Sequence, residues 1–96
     1  MLETIKNEEF AALDNTPFDL EAGGHRHAVR VAEIRRFEPH SERPEAPFAV
    51  ILSASLDCRL PQGTYRLHHP TRGPLDLFMV PLGPDDGAMR YEIVFN

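Results

Sequence analysis

The sequence predicts a mainly β protein with one short helix. It should form a small antiparallel β-barrel or sandwich of five to seven strands, with the N-terminal helix capping one end. Three observations predict this class. The last third, Leu60 to Asn96, runs as turn, strand, turn, strand, turn, strand. Met89, Tyr91, Ile93 and Phe95 alternate with Arg90, Glu92, Val94 and Asn96, the period of a half-buried strand. No connection is long enough to hold the crossover helix that a parallel pair requires.

The helix is read at Asn7 to Leu13. Asn7 is a capping type, and Glu8 and Glu9 suit the positive end of the helix dipole. Phe10 and Leu13 share a face, Asn15 can take the left-handed closing conformation, and Pro17 prevents continuation. So short a helix is unstable alone, so it must dock through Phe10 and Leu13.

Phe18 to Ala22 alternates as a strand, and Gly23-Gly24 supplies the positive φ angles of a tight hairpin. The return strand is His27 to Phe37. Val29 and Val31 share a face, but the next large apolar residue is Ile34, which predicts a β-bulge near Ala32-Glu33. Glu38 to Pro47 is rich in proline and charge and reads as a mobile loop. Phe48 to Ser55 is a continuous apolar run, as in a strand buried on both faces.

Leu56 to Gly63 is a second loop. In the strand Thr64 to His69, Tyr65 and Leu67 fall on one side and Thr64, Arg66 and His68 on the other. Pro70 to Pro74 is a turn. Leu75 to Leu82 alternates again, and Pro81, which lacks a ladder donor, should lie at an edge or leave the sheet. Gly83 to Gly87 closes the last hairpin. All 96 residues form one domain.

The net charge of −5 argues against nucleic acid as a partner. The charge is uneven: residues 1–24 sum to −5, residues 25–44 to +2 and residues 45–96 to −2. The nine Arg suit planar pairing with carboxylates on a solvated surface. Cys58 is the single cysteine, so no intrachain disulfide forms, as expected in a reducing compartment. The first residues lack the pattern of a signal peptide, and no apolar run is long enough for a membrane helix. A cytoplasmic protein without membrane contact is expected.

No arrangement of residues gives a convincing catalytic or metal centre, and we expect a non-enzymatic protein without cofactor. His68 and His69 are neighbours on a strand and point to opposite faces. His25 and His27 could share a face, but two ligands do not complete a tetrahedral site. Cys58 lacks a nucleophile's setting, and Asp85-Asp86-Gly87 reads as a hairpin turn rather than a calcium loop. The candidate binding residues are Gln62, Tyr65, Arg66, His68 and Arg72, a polar and aromatic cluster within one hairpin, of types enriched at interfaces. The plainer reading packs Tyr65 in the core and leaves the arginines solvated.

The segments Leu-Pro-Gln-Gly-Thr-Tyr-Arg-Leu-His-His-Pro (60–70), Leu-Phe-Met-Val-Pro-Leu-Gly (77–83) and Met-Arg-Tyr-Glu-Ile-Val-Phe-Asn (89–96) resemble a bacterial domain of unknown function. Phe-Ala-Ala-Leu (10–13) and Pro-Phe-Asp-Leu (17–20) resemble its opening, so the likeness spans nearly the whole chain. His25 to Arg36 and the proline-rich loop after it match less well. The family consists of small stand-alone proteins without established activity, associated with phage-tail-like and tail-collar neighbourhoods. The resemblance therefore implies an accessory or assembly module that meets a protein partner or forms a homo-oligomer. The alternative is a small-ligand or metal-binding barrel using Tyr65, Arg66 and His68.

Overall fold

Six strands close into an antiparallel barrel in the computed structural model, which describes residues 5–37 and 47–95. The elements are α1 (Asn7–Ala11), β1 (Phe18–Ala22), β2 (His25–Arg36), β3 (Phe48–Ala54), β4 (Gly63–His69), β5 (Gly73–Asp85) and β6 (Ala88–Phe95). The strands form two meanders, β1-β2-β3 and β4-β5-β6, joined by the antiparallel pairs β1–β4 and β3–β6. Closure removes the sheet edges that would otherwise expose unpaired backbone groups.

Turn chemistry sets two of the hairpins. Gly23 and Gly24 have φ of 57° and 80°, and Asp86 and Gly87 have 53° and 78°. Two successive positive φ angles match the right-handed twist of the flanking strands.

The predicted bulge is present: the β2–β3 register shifts between Val31 and Glu33. A second shift, between Pro81 and Gly83, lies in β5 opposite β6. The expectation that Pro81 marks an edge or an exit is therefore corrected. Pro81 stays in the closed wall opposite Tyr91, and the adjoining bulge accommodates its missing donor.

Side chains fill the barrel. Leu20, Val29, Val50, Leu52, Leu67, Met79, Tyr91 and Ile93 are all essentially inaccessible to solvent and belong to one cluster. The outward-facing Ile51 of β3 is also buried, so this strand is covered on both sides, as its apolar run predicts.

Helix α1 sits where β3 begins and β2, β4 and β6 end. The ring of Phe10 lies 5.2 Å from His69, edge-on, and 5.5 Å from Phe95, which in turn stacks on Phe48 at 4.7 Å. The helix thus caps one end of the barrel. Its N-cap is Lys6, not Asn7, because the Glu9 carboxylate accepts from the Lys6 N–H at 2.9 Å. The Asn7 side-chain oxygen is instead taken by the Arg36 guanidinium, at 3.1 and 3.3 Å. Asn15 ends the following turn at φ 62°, as expected.

The connection from β3 to β4 crosses the opposite end. Cys58 is buried there, and the Tyr91 hydroxyl donates to the Cys58 carbonyl while accepting from the Leu60 N–H at 3.0 Å. The expected loop over Glu38 to Pro47 lies, except for Pro47, outside the described residues; Phe37 N donates to Pro47 O at 3.0 Å.

Candidate functional site

The hairpin β4–β5 carries the candidate residues, and the barrel wall separates them. Tyr65 faces inward with Leu67, packs on the core and donates its hydroxyl to Pro61 O at 2.6 Å. Gln62 is exposed in the loop before β4, at one end of the barrel. Arg72 lies at the other end, in the β4–β5 turn, with its guanidinium on the Glu9 carboxylate of α1, Nη2 to Oε2 at 3.1 Å. That guanidinium holds the Glu9 carboxyl well down, at about 2.

Arg66 and His68 face outward and meet groups from neighbouring strands. Register places Arg26, Glu21, Arg66 and Asp76 in one row across β2, β1, β4 and β5, with alternating charge. Arg66 forks onto Asp76 through Nε–Oδ1 at 3.0 Å and Nη2–Oδ2 at 3.3 Å, which lowers the Asp76 pKa. His68 Nε2 lies 2.7 Å from Glu21 Oε1, and this hydrogen bond is the largest cause of the lowered Glu21 pKa. Opposite charges facing each other across a ladder stabilise the pairing. The structure therefore joins Arg66 and His68 through Glu21 and Asp76, and leaves Gln62, Tyr65 and Arg72 in other surroundings.

Among the described residues, His69, the inner neighbour of His68, is the one buried polar or charged residue and is 3% exposed. Its Nδ1 accepts from the N–H groups of Thr71 at 3.2 Å and Arg72 at 3.1 Å. Two donors on Nδ1 leave the proton on Nε2, which donates to Glu9 O at 2.9 Å. His69 is thus a structural latch between β4 and α1. Among the described residues no three His, Cys, Asp or Glu side chains gather to hold a metal ion.

Two surface features escaped the sequence reading. On β5 and β6, Phe78, Leu82 and Val94 are large apolar residues exposed by 54%, 48% and 49%. Phe78 and Val80 alternate outward, Val80 pairs with Glu92, and Val94 follows Glu92 on the same face. Beside them a groove of about 310 Å³ opens between the β2 and β5 bulges. Ile51, Leu82 and Pro84 supply its apolar lining, and Glu33, Arg35, Asp85 and Arg90 the polar groups. Arg35 is held by Glu33 at 3.0 Å and Glu92 at 3.9 Å, whereas the buried Nε of Arg90 has no hydrogen-bond partner among the described residues. The available signal was the pair of breaks in strand alternation, at Glu33 and at Pro81 to Gly83.

A closed six-stranded barrel with a helical cap and a charged outer wall defines the class of this molecule. The chain belongs to the family described as Domain of unknown function (DUF6916), which matches residues 5–95. No curated protein and no solved structure matches it. Among the described residues no helix is long and apolar enough to cross a membrane.

Proposed function

We propose that this domain is a non-enzymatic binding module that meets another protein chain, a partner or a second copy, through the outer β5–β6 face. The observation that carries this reading is the exposure of Phe78, Leu82 and Val94 on one side of a barrel whose interior is already filled. Exposed apolar side chains grouped on one face are a recurring property of interaction surfaces. The finer role we propose is that of an accessory or assembly component in a phage-tail-like system, supported by the sequence likeness alone. The buried free thiol of Cys58 is compatible with a reducing compartment, and the cytoplasm is the site we propose.

The alternative, a ligand taken at Arg66 and His68, requires displacement of Asp76 from its ion pair with Arg66 and of Glu21 from its hydrogen bond with His68. Light scattering on the purified protein, with capture of products of neighbouring genes, tests the main reading. Self-association or a specific captured protein is expected. A strict monomer that captures none of them contradicts it.

A further inference from the structure

Arg90 lies on the outer wall of β6, opposite Gly83 in the second bulge. Its Nε is shielded from solvent and satisfied by no described group. A buried guanidinium N–H without an acceptor is uncommon, since such groups ordinarily find a protein, water or ligand partner. The other groove arginine, Arg35, differs in this respect, being fixed between Glu33 and Glu92. Arg90 thus brings to the groove a guanidinium whose Nε–H is unused, beside an apolar lining of Ile51, Leu82 and Pro84.

We propose that this groove binds a singly charged carboxylate with an apolar body, the carboxylate seated on the Arg90 guanidinium and the body against Leu82 and Pro84. Planar carboxylate matches the guanidinium fork, through two parallel N–H···O bonds. Turning the guanidinium toward the groove brings the covered Nε–H to the ligand and satisfies it. A dianion such as phosphate is disfavoured, because Glu33 and Asp85 already line the groove with negative charge. The inference goes beyond the protein-binding reading and stands whether or not the β5–β6 face meets a partner.

The carboxylate can come from a free acid or from an acidic side chain beside an apolar one, so two probes are used. Butyrate represents the first source and N-acetyl-leucyl-aspartyl amide the second, with inorganic phosphate as control at matched ionic strength. The readout in every protein is the shift of the backbone amides of Gly83 and Asp85, which line the groove, with the Arg90 Nε–H resonance followed in the wild type. We expect a saturable shift with at least one carboxylate probe, weakened at least about tenfold by Arg90→Gln. Arg90→Lys keeps the charge but loses the fork, and should also weaken binding. The tighter probe identifies the source. No saturable shift with either probe, equal binding by phosphate, or unchanged affinity in Arg90→Gln would overturn the proposal. Unaltered melting of both variants shows that their losses do not arise from unfolding.

Discussion

His69 Nε2 donates to the main-chain carbonyl of Glu9 at 2.9 Å, joining the end of β4 to the capping helix across 60 residues of sequence. The same ring accepts from Thr71 N and Arg72 N through Nδ1 and meets Phe10 edge-on. One side chain thus holds the helix, the β4–β5 turn and the aromatic cluster in register.

Replacing His69 by Ala removes all of these contacts and leaves buried backbone groups unsatisfied. The expected loss is about 2–4 kcal/mol in urea unfolding. His69→Asn places an amide oxygen near the former Nδ1 while losing the donor to Glu9, so it should fall between Ala and wild type. Equal stability for all three proteins would remove the latch from the account.

Glu9 links the helix to Arg72 and gives the cap a pH dependence. Its folded-state pKa of about 2 lies below the ordinary 4.5, chiefly because of the Arg72 hydrogen bond. The carboxylate is therefore favoured by folding. Its contribution is complete above about pH 4.5 and is lost as pH falls through that range toward about 2. Solvent screening of a partly exposed pair reduces the effect to about 1 kcal/mol. Glu9→Gln should flatten this part of the stability–pH curve, and an unchanged curve contradicts the assignment.

At the other end, the Tyr91 hydroxyl ties down the β3–β4 connection through Cys58 O and Leu60 N. Tyr91→Phe should cost about 1–3 kcal/mol, by leaving these groups without a partner. Burial raises the Cys58 pKa, opposed by the Tyr91 hydrogen bond, so the native thiol should react slowly with disulfide reagents. Labelling should accelerate in the Phe variant as the connection opens more often. Labelling at the wild-type rate would show that the hydroxyl does not hold the loop.

The final strand separates core from surface within a few residues. Tyr91→Ala should cost about 3–5 kcal/mol, and Phe95→Ala somewhat less because Phe95 is only partly buried. Arg90→Ala removes an unsatisfied donor and should change stability by under about 0.5 kcal/mol. Equal losses in chemical denaturation at all three positions would contradict the described inner and outer faces.

Local chemistry made much of this fold legible. The alternation from Met89 to Phe95, the glycines at 23 and 24, the turn at Asn15 and the phase slip before Ile34 each act over a few residues. The sequence left barrel and sandwich as alternatives, because the β1–β4 pairing that decides for the closed barrel is non-local and neither strand announces its partner. Pro81 misled for a related reason: its missing donor argues for an edge only where no bulge accommodates it. At the candidate site, alternation separated Tyr65 from Arg66 and His68, and the structure puts Tyr65 on the core side, as the plainer reading had it. Their partners Glu21 and Asp76, and the reach of Arg72 to Glu9, depend on tertiary packing. The Arg90 groove needs two bulges side by side, which no single segment reveals.

In the function proposed above, the outer β5–β6 face makes the protein contact and the charged row around Arg66 and His68 does not. Association measured by light scattering and partner capture should be compared in two double variants, Phe78→Glu with Val94→Glu, and Arg66→Ala with His68→Ala. The first pair should abolish association and the second preserve it, with both proteins folded. Association that survives the first pair and is lost in the second would contradict it.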